Sequence, residues 1–151
     1  MKSYATMEAM KAAHQEEVNA FPIVYAFSTE QFKEGIKKLW GLDYDNTRQV
    51  KKAQIVSIGY GGYVLKKDVP ALKEMFARHR EEEKAFASDF KNLVEMIKAE
   101  MYNHEYTYVP YEVEEEVREA LDSVKDHPRF EEAWKKAKRE VLKAAGFEGI
   151  D

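Results

Sequence analysis

Residues 55–65, IVSIGYGGYVL, leave a chain of this kind few ways to fold. Ile55, Val56 and Ile58 precede Tyr63, Val64 and Leu65, and both runs suit a pleated surface. Between them stand Gly59, Tyr60, Gly61 and Gly62. Glycine reaches positive φ without a Cβ clash, which tight hairpin turns demand. No GK[ST] follows, and the loop returns to a strand instead of opening a helix, so neither phosphate-binding pattern applies. The stretch predicts a β-hairpin.

Past Lys66 and Lys67 the apolar period changes from two to about three and a half. Asp68 has the chemistry of an N-cap, and Pro70 fits a first helical turn. Leu72, Phe76, His79, Glu83, Phe86, Phe90, Leu93, Ile97, Met101 and His104 then recur at steps of four and three. Ser88-Asp89 has capping chemistry, yet the stripe keeps its phase there, which predicts one long helix or a shallow kink. The run 78–84 contains no apolar residue. It predicts a helix projecting beyond its partners; the other reading gives His79 and Glu83 a polar partner.

Around this unit the chain reads as helices and one more strand. Met7, Met10, His14, Val18 and Phe21 mark an amphipathic helix that Pro22 ends. Residues 23–27 predict a buried strand pairing with the hairpin. Ser28 and Gln31 form a capping box for a helix with Phe32, Ile36, Leu39 and Trp40 inward, closed by Gly41. Residues 42–52 are polar, with turn chemistry at Asp45-Asn46. The aromatic run 106–111 predicts an extended connector before Pro110. Val113, Val117, Leu121 and Val124 mark a short helix. Asp126 caps the last helix, with Pro128 in its first turn, Phe130, Trp134, Ala137 and Val141 inward, and Gly146 at its end. Residues 146–151 read as a frayed tail. The expectation is a single domain, 1–151: an α+β fold, mostly helical, with a small antiparallel or mixed sheet of about three strands and helices packed on one face.

An apolar fraction of 44% suffices for a core, and the absence of cysteine excludes disulfides, thiolate nucleophiles and Cys-ligated zinc. The N-terminal stretch is too polar for a signal peptide, and no apolar run reaches the length of a membrane span. A cytoplasmic protein without membrane contact is expected. Net charge is −4, unevenly spread. Residues 33–73 hold nine basic and four acidic side chains, whereas 111–122 hold six acids and Arg118 alone. Opposite fields in one small chain suit a charged partner or self-association into a homo-oligomer.

Chemistry-bearing residues are sparse. His14 with Glu17, and Glu100 with His104, are spaced to share a helix face, and His104 adjoins Glu105. These are the candidates for catalysis (His104, Glu105, His14, Glu17) and for metal binding (His14, Glu17, Glu100, His104). HExxH is absent, and Ser28 and Ser57 sit in no nucleophile elbow. His104 at a helix C-terminus has a structural role open to it, complementing the helix dipole while Asn103 takes a left-handed conformation and Tyr106 tucks beneath. Lys37, Lys38, Arg48, Lys51, Lys52, Lys66 and Lys67, interleaved with Trp40, Tyr44, Tyr60 and Tyr63, would suit nucleic acid, although the low pI opposes it. Glu112, Glu114, Glu115, Glu116 and Glu119 are the candidate partner-binding residues.

The stretches HQEEVNAF (14–21), AFSTEQFKEG (26–35), SIGYGGYVLKKD (57–68) and NHEY (103–106) resemble a family of small uncharacterised proteins of bacterial mobile elements and phages. The likeness spans about the first two-thirds of the chain in the same order. It implies an accessory protein that acts on host machinery. The expectation is therefore a non-enzymatic protein without a cofactor that binds a host protein, inhibition of a host defence being one form. A metal-dependent hydrolase and a nucleic-acid-binding protein using region 33–73 are the alternatives.

Overall fold

The computed structural model describes residues 1–147, in the order α1 (Met7–Ala20), β1 (Val24–Tyr25), α2 (Thr29–Trp40), α3 (Thr47–Ala53), β2 (Ile55–Gly59), β3 (Gly62–Leu65), a 3₁₀ turn (Lys66–Asp68), α4 (Val69–Phe86), α5 (Phe90–Asn103), α6 (Pro110–Ala120) and α7 (Phe130–Ala144). The expected fold class holds: small, mostly helical α+β, with an antiparallel three-stranded sheet in the order β1-β3-β2. The chain forms two compact units. One is 13–77; the other joins the residues up to Ala12 to those from Arg78 on. The frayed tail expected for 146–151 falls, from residue 148 on, outside the described residues.

The unit 13–77 is built on the sheet. Val24 lies opposite Tyr63, which lies opposite Ser57, while Val56 pairs with Val64. Successive side chains on a strand point to opposite faces. Val24, Tyr63 and Ile55 therefore share one face, where Ile36, Phe32 and Trp40 of α2 and Val50 and Ala53 of α3 cover them. A second cluster lines the other face, where Val64 meets Leu72 and Met75 of α4, Val18 of α1 and Phe21, so helices cover both faces of the sheet and not one as expected. Ser28 Oγ accepts from the Gln31 amide, and Gly41 takes φ 67° as the C-cap, both as the sequence predicts.

The second unit packs around α5. Leu93, Val94, Ile97 and Met101 meet Phe130, Ala133, Trp134, Ala137 and Val141 of α7, with Val117 of α6 and Met10 of α1 closing the cluster. Each large side chain taken fully from water there contributes about 1.5–3 kcal/mol. Tyr106 is buried and meets Trp134 edge to face at 5.9 Å, under the turn as expected.

Several expectations need correction. The long helical pattern is two helices: Asp89 is extended and its side chain caps α5 by accepting from the Lys91 amide. The buried stripe of α4 is Leu72, Met75, His79, Glu82 and Phe86, while Phe76 is exposed and Glu83 is not in the core. Projection of 78–84 is overturned as well. Glu82 is buried, and Tyr4 Oη donates to one of its oxygens at 2.8 Å while Arg78 Nη1 donates to the other at 3.0 Å. Residues 47–53, read as connector, form α3, whose cap is Asn46 Oδ1 accepting from the Gln49 amide. Pro110 opens α6 instead of extending a connector, and 104–108 are turns. The last helix starts at Phe130 without a side-chain cap, so Asp126 and Pro128 belong to the preceding turns.

Candidate functional site

The hairpin turn places the most exposed aromatic side chain among the described residues. Gly59, Tyr60 and Gly61 take φ 86°, 51° and 77°. A two-residue turn with both central φ values positive matches the twist of its flanking strands, and it favours Asn, Asp or Gly there. A tyrosine at φ 51° is disfavoured, since its Cβ crowds the backbone. Yet Tyr60 is 98% exposed and so gains no packing in return. Local stability does not explain this residue.

Next to the tip, the Ala26 amide donates to the Gly61 carbonyl at 2.8 Å, extending the β1 side of the sheet by one bond. The Phe27 amide donates to Gln31 Oε1 at 2.7 Å, which fixes the backbone where β1 turns into α2. With its backbone held, Phe27 presents its ring to solvent at 79% exposure, directly over Gly61. Tyr25 is also exposed. Beside Phe27 an open groove of about 480 Å³ runs between Ser28-Thr29 and the rings of Phe32, Tyr44 and Tyr63. Phe32 meets Tyr63 at 4.9 Å and Tyr44 at 6.0 Å, both edge to face, and Lys33 Nζ stands 5.0 Å from the Tyr44 centroid. Contiguous exposed rings on a fixed backbone can bind flat or apolar groups. Of the serines considered from the sequence, Ser28 on the groove accepts as the α2 cap, and Ser57 on β2, outside the groove, accepts from the Gly59 amide.

The histidine and carboxylate candidates are placed as follows. Glu100 and His104 approach at 3.6 Å across one turn of α5, and Lys11 Nζ stands 3.8 Å from the other oxygen of Glu100. An ammonium already at the carboxylate opposes a metal ion there. His104 is the C-cap of α5, while the left-handed residue is Glu105 at φ 56°, not Asn103. Glu105 is exposed; His14 and Glu17 lie on the part of α1 that belongs to the unit 13–77. Among the described residues no three His, Asp or Glu side chains come together to hold a metal. No helix among them is long and apolar enough to cross a membrane.

The acidic candidates sit on α6. Val117 points into the core, and Glu112, Glu115, Glu116 and Glu119 are exposed. Glu114 is drawn instead toward Arg118 at 3.8 Å. That guanidinium donates to both oxygens of Glu131, at 2.7 and 3.3 Å, and stacks 4.1 Å from the Trp134 centroid. The hydrogen bond to Glu131 raises the Arg118 pKa, and the same bond holds the Glu131 carboxyl below its usual range. The basic residues of 33–73 are spread over α2, α3, the 3₁₀ turn and α4. Lys37, Lys38, Lys51 and Lys52 lie in last helical turns, where they complement helix dipoles.

Sequence reasoning singled out Tyr60 but passed over Phe27 and Tyr25. The run 23–27 is apolar throughout and gives no alternation to read; it is in the structure that Val24 and Ala26 are buried while Tyr25 and Phe27 face solvent, so the expectation of a fully buried strand is corrected. A model of the Family of unknown function (DUF7659) matches residues 6–140. No curated protein and no solved structure matches the chain.

Proposed function

We propose, on the premise that the chain belongs to the family of unknown function DUF7659, that it is a binding protein whose contact surface is the aromatic hairpin tip of Tyr25, Phe27 and Tyr60. The observation that carries this reading is Tyr60: a fully exposed ring on a disfavoured backbone. Such strain persists where function retains it. Exposed aromatic clusters mark protein contacts, because tyrosine and phenylalanine bury large area with few rotors to freeze. A protein partner fits better than nucleic acid, since among the described residues of 33–73 Lys33 stands over the Tyr44 ring while the other cations are dispersed over α2, α3, the 3₁₀ turn and α4. The resemblance to small proteins of mobile elements and phages supports a host protein as that partner, and a defence protein is one such target.

The test is affinity capture from host cells, nuclease-treated, with the wild type and a Tyr25→Ser/Phe27→Ser/Tyr60→Ser variant shown by circular dichroism to be folded. A partner held by the wild type and lost by the variant supports the reading. Equal capture by both, no capture by either, or loss of the bound material on nuclease treatment would each sink it.

A further inference from the structure

The two charged helix faces of the unit holding α6 and α7 are alike in breadth and length and opposite in sign. On α6, Glu112, Glu115, Glu116 and Glu119 are exposed, and no cation lies within ion-pair distance of them among the described residues. At 100° per residue they fall within an arc of about 100°, and at 1.5 Å per residue they span about 10 Å. On α7, Lys135, Lys136, Arg139 and Lys143 are exposed, and no carboxylate lies within ion-pair distance of them among the described residues, although Lys135 acts on Glu131 at longer range. They too fill an arc of about 100°, along about 12 Å.

The two carboxylates that line the same groove are engaged elsewhere, Glu132 by Arg129 at 2.8 Å and Glu140 by Lys98 at 3.6 Å, and Glu131 is held by Arg118. The α7 face is also shaped. Its cations border an open groove of about 540 Å³ floored by Phe90, whose ring lies 3.8 Å from the Arg129 guanidinium. A row of cations beside an apolar floor fits the acidic edge of a helix, and α6, with such an edge of similar length, is present in every copy of this chain.

We infer that the α7 groove is a self-association surface whose occupant is α6 of a second copy. The inference goes beyond the proposed contact at the hairpin tip, with which it shares no residue. Complementary rows steer encounter and fix register. Screening length falls from about 10 Å at 0.1 M salt to about 3 Å at 1 M, so the association is salt-labile.

Light scattering and sedimentation across protein concentration, at 20 mM and 500 mM NaCl, provide the test. The wild type associates at low salt and dissociates at high salt. Glu115→Lys/Glu116→Lys and Lys136→Glu/Arg139→Glu each weaken self-association at least about tenfold. Mixing these two variants restores association, because each supplies the face the other has lost. Joining all four substitutions in one chain also restores it. A wild type that stays monomeric at low salt overturns the inference, as does association indifferent to the reversals or a mixture that fails to associate. Binding of labelled single-stranded DNA to a monomeric wild type, abolished by Lys136→Glu/Arg139→Glu, would reassign the groove to nucleic acid and equally overturn it.

Discussion

The ring of Phe27 lies across Gly61 so closely that a Cβ on that glycine would stand 2.6 Å from the ring. The contact joins the segment after β1 to the hairpin tip, where Tyr60, the neighbour of Gly61 in the chain, is also exposed. It also makes Gly61 doubly constrained, by space and by its φ of 77°.

Gly61→Ala should therefore be costly in two separable ways. Positive φ costs an alanine about 1–2 kcal/mol, and the Phe27 ring must swing aside. Gly41→Ala gives the reference, since Gly41 has φ 67° and open space around the missing Cβ. In urea titrations Gly61→Ala should lose at least as much stability as Gly41→Ala. Only Gly61→Ala should also weaken partner capture.

Tyr60 offers the opposite trade. Asparagine tolerates the left-handed region better than tyrosine, and no packing is forfeited at a side chain 98% exposed. Tyr60→Asn should raise stability by about 0.5–1 kcal/mol, read as a higher urea midpoint at unchanged slope. Partner capture should fall. A variant that is less stable than wild type would mean that Tyr60 is held by local packing, contrary to the reading of the tip.

Gly35 stands inside α2, where alanine ordinarily adds about 1 kcal/mol of stability over glycine. Here a Cβ would fall 2.5 Å from Val24 Cγ1, and Val24 is buried with a stiff β-branched side chain. Gly35→Ala should thus destabilise, by about 1–3 kcal/mol as overpacking does. Thermal melts of Gly35→Ala and of Gly35→Ala/Val24→Ala separate the effects, the second change relieving the clash and leaving a cavity.

What the sequence made legible follows from which interactions are local. The hairpin, the Ser28 cap and the Gly41 terminus depend on residues within a few positions of one another, and all were readable. The phase of α4 was not. The sets 72-76-79-83-86 and 72-75-79-82-86 share three members and differ by one step at the others, so periodicity alone cannot choose between them. The choice is made by Tyr4, seventy-eight positions from Glu82, whose hydroxyl meets that carboxylate inside the fold. The break at Asp89 was hidden for a related reason: a stripe can keep its phase across three non-helical residues. Of the candidate site, Tyr60 was visible by its place between glycines. Phe27 was not, because a phenylalanine beside a strand reads as core until the β1 edge is seen to face solvent.

Arg118 and Glu131 give the unit around α5 a dependence on pH whose sign can be worked out. The hydrogen bond from Arg118 holds the Glu131 carboxyl below its ordinary value of 4.5, so the folded state binds that proton less readily than the unfolded chain. The contribution is fully present above that ordinary value and is lost as pH falls through the lowered one. Asp122, lowered by Lys125 and Arg80, and Glu132, lowered by Arg129, act in the same direction. Stability should be flat from pH 7 to about 5 and decline below it. Glu131 is 68% exposed at its side chain, and solvent screening limits its share to about 0.5 kcal/mol. Glu131→Gln should accordingly make the decline shallower without abolishing it. Arg118→Ala should do more, because the guanidinium also covers Trp134 at 4.1 Å. Its loss opens the indole to water and red-shifts tryptophan emission at neutral pH, where Glu131→Gln leaves the emission unchanged. Identical pH profiles for wild type and Glu131→Gln would remove the pair from the account of acid stability.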